Sequence, residues 1–251
     1  MYHVQELQIL GAKDPEAIKQ AVYEYGGVQS ACYMPQTAGA ERERYYREET
    51  CAFYYNGTQE PNHDVVIVGW DDHYPKANFV QQPEADGAFL CMNTWGPEFG
   101  DEGYFYISYE DSRIGETGVV YTGIEAADNY DRVYQTDLCG WTGQIGYGTS
   151  RAWFANVYEA EEAMEMAAAG FYATAPGTAY KVSVKFPEAG EAIGTSDWMQ
   201  AAEGSVERAG YYTVRFDDAF FVDAGERVAV MIEIDSPGTV EPIAMEYRSG
   251  S

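Results

Sequence analysis

From residue 62 to the end of the chain, short apolar or alternating runs recur between clusters of Gly, Pro, Asp and Asn, and past Tyr121 no helix-length periodic stretch appears. Such punctuation selects antiparallel sheet, because period-two alternation buries one face of each strand and a turn returns the chain to its neighbour. Residues 64–70 (DVVIVGW), 87–93 (GAFLCMN) and 103–109 (GYFYISY) predict a three-stranded meander. Runs over 151–158, 167–174, 179–186, 210–216, 219–222, 227–234 and 242–247, parted by turns such as Pro176-Gly177-Thr178 and Asp223-Ala224-Gly225-Glu226, predict a β-sandwich. Within it, Tyr180, Val182, Val184 and Phe186 alternate with polar or small residues, as in a half-buried strand. The shift in character places a domain boundary near residues 125–130.

The stretch before residue 62 is different. Residues 4–10 read as a strand, and Asp14-Pro15 supplies an N-cap with Pro at the first helical position. Ala17, Ile18, Ala21, Val22 and Tyr25 then form one apolar stripe that Gly26-Gly27 ends, so a helix is expected over 14–25. Residues 28–34 read as another strand. Residues 38–50 interleave Arg and Glu and read as a solvated loop or short helix, an improbable place for a site.

A chain of 251 residues, 46% hydrophobic and 15% aromatic, buries one large core or two modest ones. Its net charge of −26, spread over both halves, argues against neutralising nucleic-acid phosphates or sitting on an anionic membrane. Apolar runs such as Val65-Val66-Ile67-Val68 are too short for membrane insertion, and no basic then apolar segment follows Met1 as a secretory signal would. Cys32, Cys51, Cys91 and Cys139 lie far apart with no C-x-x-C, so they read mostly as buried thiols rather than a disulfide framework.

The chemistry concentrates where the meander begins. Pairing its first two strands with Trp70 opposite Asp86 sets His63 opposite Asn93, with Thr94-Trp95-Gly96 following. An Asn carbonyl oxygen accepting from one ring N–H fixes a histidine tautomer and aims the other nitrogen outward, while an indole over that bond keeps water away. Such a pair suits a thiol nucleophile, since imidazolium stabilises a thiolate without a buried carboxylate behind it. Residues 62–72 (NHDVVIVGWDD) and 87–109 (GAFLCMNTWGPEFGDEGYFYISY) resemble the histidine and asparagine regions of papain-like cysteine peptidases, and the resemblance extends through the helix–strand segment 14–34. It implies that residues 1–125 are the second, β-rich lobe of that two-lobed fold. It makes His63 the general base and ion-pair partner, Asn93 its orienter and Trp95 the shield, with Gly100-Asp101-Glu102-Gly103-Tyr104 a structural turn. Asp64, after the histidine, is the candidate for lining a substrate pocket, where a carboxylate would favour a basic side chain.

The family's nucleophilic Cys begins a helix in a segment resembling C-G-[SA]-C-[WY], preceded by an oxyanion-hole Gln, and neither occurs in these residues. The chain therefore reads as a fragment lacking the nucleophile, expected to be inactive alone. Its reaction is peptide-bond hydrolysis by an upstream Cys thiolate, with a protein or peptide as substrate and no cofactor. No metal site is expected: Asp71-Asp72 and Asp217-Asp218 lack calcium-loop spacing and read as solvated turns. Asn56-Gly57-Thr58 fits a glycosylation sequon to which no function is attached.

Residues 130–158 resemble the start of the lectin-like β-sandwich that follows the peptidase domain in clostridial cell-surface cysteine peptidases. The fold class expected is thus α+β: a papain-like right lobe over 1–125, then an antiparallel sandwich over 128–251 that stops soon after its last strand, at Arg248-Ser249-Gly250-Ser251. The resemblance implies an extracellular or cell-surface bacterial protein and a possible cell-wall carbohydrate partner, with Tyr130, Tyr134, Trp141, Trp153 and Tyr158 as platform candidates. The alternative is a non-catalytic surface or carbohydrate-binding protein derived from a peptidase.

Overall fold

The computed structural model describes residues 1–35, 39–188, 190–194 and 196–247. Strand β1 (Tyr2–Leu10) leads to helix α1 (Pro15–Tyr25), built as its residues dictate. Asp14 Oδ1 accepts from the Ala17 N–H at 3.0 Å, and Gly26, at φ 90°, ends the helix with its N–H on the Val22 carbonyl at 2.8 Å. Ile18, Ala21 and Val22 are buried, whereas Tyr25 at the end of the expected stripe is 47% exposed. Complete burial contributes about 1.5–3 kcal/mol for a side chain such as Ile18.

Strand β2 (Val28–Cys32) follows, then a short 3-10 turn at Arg42–Arg44, β3 (Tyr46–Arg47), a second turn at Glu48–Thr50 and β4 (Ala52–Phe53). The meander is β5 (His63–Asp71), β6 (Ala88–Met92) and β7 (Tyr104–Ser108), and β8 (Gly118–Ala126) succeeds it. By packing, residues 9–121 form one unit, with neighbours in the order β3-β4-β7-β6-β5-β2-β8. Its core holds Ile18 and Val22 of α1 against Val28, Val65, Ile67, Phe89, Phe105 and Ile107.

The meander is antiparallel as expected, but its register is not the expected one. Val66 pairs with Met92 rather than Leu90, and Trp70 pairs with Phe89 rather than Asp86. The ladder shifts between Ile67 and Gly69, a β-bulge at Val68. Alternation alone does not register such a bulge, because one extra residue re-phases the strand without altering which residues are apolar.

Residues 1–8 pack with those from 122 onward as the second unit. Here lie β9 (Gly143–Ile145), β10 (Arg151–Glu159), β11 (Met164–Ala173), β12 (Thr178–Lys185), β13 (Met199–Val206), β14 (Gly210–Val222), β15 (Arg227–Asp235) and β16 (Ile243–Met245). Two sheets, ordered β1-β14-β11-β16-β9 and β10-β15-β12-β13, close on a core of Phe171, Tyr212 and Val222 against Val182, Val184, Val228, Ile232 and Ile234. Glu6, Leu7 and Gln8 of β1 pair with Tyr212, Tyr211 and Gly210. The runs 210–216 and 219–222 are one strand, not two: Asp217-Asp218 lie exposed where the β11–β14 ladder shifts, and the extra residues extend a continuous strand instead of turning it. Strand β12 is buried on both faces toward its end, with Ser183 and Lys185 also covered and Lys185 Nζ 3.0 Å from the Glu191 carboxylate. Residues 248–251 lie outside the described ones.

Candidate active site

The site is assembled where β5 starts and β6 ends. Asn62 anchors the approach: its N–H donates to the Cys32 carbonyl at 3.1 Å and its Oδ1 accepts from the Met34 N–H at 2.8 Å. His63, the next residue, pairs with Cys32 in the β2–β5 ladder and is half-buried. Asn93 stands past the end of β6, its N–H donating to the Gly103 carbonyl at 2.9 Å. The Gly100–Tyr104 turn makes that carbonyl available. Gly100 adopts φ 65°, and a Cβ on it would lie 2.2 Å from the Tyr104 carbonyl oxygen, so no side chain fits there.

His63 Nε2 lies 2.9 Å from Asn93 Oδ1 despite the shifted ladder. Oδ1 also accepts from the Thr94 N–H at 2.8 Å, which fixes which end of the amide faces the ring. A flipped amide would set its own N–H groups against that donor. An amide oxygen only accepts, so Nε2 carries the proton and Nδ1 is the nitrogen left for chemistry. Asn93 is 8% exposed, and its Nδ2 is buried without a hydrogen-bond partner among the described residues. An unpaired buried donor costs about 1–3 kcal/mol.

Trp95 packs on the histidine with ring centroids 4.9 Å apart and planes at 34°. Phe99 meets the indole edge-on at 4.9 Å, Tyr46 stacks on Phe99 at 5.0 Å, and the Arg42 guanidinium carbon lies 4.5 Å from the indole centroid. His63, Asn93 and Trp95 therefore come together. Asp64 is exposed and, by alternation with the buried Val65 and Ile67 that share the face of His63, points to the opposite face; among the described residues its carboxylate makes no hydrogen bond or ion pair.

Sequence reasoning missed three supports of the site. Asn62 and Phe99 lie inside the quoted motifs, but what they touch is set by distant strands. Arg42 lies in the stretch read as solvated. The thiols divide by burial: Cys32 and Cys91 are fully buried, Cys51 is half-buried and Cys139 exposed. Burial, reinforced by the Asp111 and Asp64 carboxylates, pushes the Cys32 thiol far up, and burial does the same to Cys91. Among the described residues no cluster of three or more His, Cys, Asp or Glu is arranged to hold a metal ion.

Residues 1–125 match the family described as papain family cysteine protease, and residues 133–251 match the lectin like domain. The chain belongs to the papain family of cysteine proteases, as a β-rich papain-like lobe followed by a lectin-like domain. It is similar over 99% of its length to the clostridial cysteine protease Cwp84 solved after propeptide cleavage, at 26% identity and TM-score 0.85, covering 60% of that chain. Another structure holds the cysteine protease and lectin-like domains of Cwp84, a surface layer associated protein of Clostridium difficile; there the identity is 25%, the TM-score 0.82, and the shares covered are 99% and 54%. Cathepsin B-like cysteine proteinase 3 of Caenorhabditis elegans is 24% identical over 137 residues, 54% of this chain and 32% of the relative. The chain spans about a third of that curated relative's length.

Proposed function

We propose that this chain supplies the acid–base half of a cysteine peptidase, with His63 and Asn93 as catalytic residues and Trp95 as their cover. The observation that carries the reading is the 2.9 Å contact between His63 Nε2 and Asn93 Oδ1, with the amide oriented by the Thr94 N–H. With Nε2 committed to Asn93, Nδ1 does the proton work. A thiolate from a helix-borne Cys outside these residues adds to the scissile carbonyl carbon. His63 Nδ1–H then protonates the leaving amine as the C–N bond breaks, giving a thioester. Water attacks the thioester carbonyl as Nδ1 takes its proton, and the thiolate departs. The half-exposed Cys51 is not assigned this role.

Residues 1–125 are, on this reading, the second half of the peptidase domain and residues 128–251 its lectin-like companion. The substrate is a protein or peptide, and Asp64, exposed and next to His63 at the start of β5, is the candidate for meeting a basic side chain on it. The surface-layer association of Cwp84 supports a cell-surface location, and the lectin-like match supports a wall carbohydrate as partner. The five aromatics divide in a way that narrows the platform. Tyr134 packs on Tyr158 and Trp141 on Tyr172, Tyr130 lies under Arg215, and Trp153 is 46% exposed. No helix among the described residues is long and apolar enough to cross a membrane.

The test compares two proteins against fluorogenic peptides: the 251-residue chain, and the longer product of the same locus if its reading frame continues upstream through a Gln and a Cys-bearing helix. The chain alone is expected to be inactive. The longer protein is expected to show thiol-dependent cleavage that His63→Ala lowers by about 10³-fold or more. Thiol-dependent turnover by the chain alone, lost in Cys51→Ala, overturns the assignment of the nucleophile.

A further inference from the structure

We propose that Arg42 is a positioning residue for the His63–Asn93 pair, acting through Trp95. The inference rests on the reading of that pair given above and adds a residue from a stretch outside the recognised motifs. Arg42 is half-buried in the 3-10 turn Arg42–Arg44, with its guanidinium carbon 4.5 Å from the indole centroid. Its Nε donates to the Pro35 carbonyl at 3.1 Å, so the guanidinium is tethered to the chain leaving β2, the strand whose Cys32 pairs with His63. A second hold comes from the same stretch: Tyr46 stacks on Phe99 at 5.0 Å, and Phe99 meets the indole edge-on at 4.9 Å. The segment from Arg42 to Tyr46 thus grips Trp95 directly through a cation over its ring and indirectly through Phe99.

The grip matters because of what the indole covers. Trp95 stands on a loop past the end of β6 and is not itself held by ladder hydrogen bonds. A stacked guanidinium is attracted by the ring quadrupole and, being planar and weakly hydrated, packs on the indole without losing its outward solvation. Removing it frees the ring to swing and admits water to the Nε2–H···Oδ1 bond, loosening the tautomer that leaves Nδ1 for chemistry.

The 251-residue chain carries three histidines, so ¹⁵N-histidine labelling resolves the His63 imidazole by NMR. In the parent protein the Nε2–H resonance is expected to be visible and slow to exchange with water. Arg42→Met is expected to speed that exchange about tenfold, and Arg42→Lys, which keeps the charge but not the planar stack, by about two- to fivefold. Thermal unfolding midpoints within a degree or two of the parent separate the local effect from general loosening. Asn93→Ala is the reference arm. If it leaves the resonance unchanged, the oriented pair itself fails. If it abolishes the slow signal while both Arg42 variants exchange within twofold of the parent, the pair stands and the role of Arg42 is overturned.

Discussion

Asp111 shows what a single side chain does in the peptidase-like unit without touching the candidate site. It is 1% exposed, and its carboxylate accepts from the N–H groups of Tyr55 at 2.9 Å, Arg113 at 2.8 Å and Ile114 at 3.0 Å. Burial raises its pKa above the ordinary carboxylate range, opposed by those N–H groups and by Lys13. A carboxyl that holds its proton more firmly folded than unfolded contributes stability that is complete below the unfolded pKa and lost as pH rises through the folded one. Asp111→Asn offers one oxygen to three donors and is expected to cost about 1–3 kcal/mol, read from urea unfolding at pH 4. Because the variant no longer titrates, its deficit should narrow as pH rises through the raised value; a deficit that widens means the carboxylate is stabilised as the anion. His63, Asn93 and Trp95 were legible because the residues flanking them form a recognisable signature. Asp111 was not, since Glu110-Asp111-Ser112 looks like any solvated turn until the N–H groups it serves, one of them from Tyr55, are brought in by the fold.

At the scale of elements, helix α1 was readable from its ends as much as from its stripe, and the Asp14 cap gives a measurable handle. Asp14→Ala is expected to lower stability by about 0.5–2 kcal/mol, seen as a lower denaturation midpoint at unchanged m-value. A change within a few tenths of a kcal/mol means the 3.0 Å bond to Ala17 does not hold the helix start in solution. Strands resisted where pairing overrides pattern. Strand β13, MQAAEGSV, has no alternation to announce it and is ordered by seven residue pairs with β12, and the three residues of β9 are fixed by β16. The β5–β6 register slipped for a related reason: the bulge at Val68 is a property of two strands together, invisible in either alone. The site tolerated the slip because His63 and Asn93 sit at the ends of their strands, where side chains and the Gly103 carbonyl set the approach.

For the whole molecule, the decisive quantity is charge. Fifteen Lys and Arg face 41 Asp and Glu, so even if every cation paired with a carboxylate most of the acidic groups would remain unmatched. Ion pairs such as Arg151–Asp235 at 2.7 Å and Arg113–Glu116 at 3.0 Å relieve this locally. Self-repulsion acts over the Debye length, about 30 Å at 0.01 M salt and about 8 Å at 0.15 M. Raising NaCl across that range is therefore expected to raise the unfolding temperature by a few degrees in calorimetry. A fall instead means that the ion pairs, weakened by the same screening, outweigh the repulsion. The expected boundary near residues 125–130 rests on a change of local pattern, whereas the packing units divide between Tyr121 and Thr122. The packing of residues 1–8 with the second unit was not legible, since nothing near Glu6 names Tyr212 as its partner.

That last pairing sets a schedule for synthesis. Glu6, Leu7 and Gln8 leave the ribosome about 200 residues ahead of Gly210, Tyr211 and Tyr212. At about 5–20 residues per second the wait is roughly 10–40 s, long beside the millisecond-to-second folding of small β domains. During it the ladder positions of residues 6–8 toward β14 stay open, a strand edge of the kind that recruits other chains. The nascent protein thus carries an edge on β1 that only the much later β14 closes, and chaperone occupancy of β1 until β14 emerges is the expected trace in vivo.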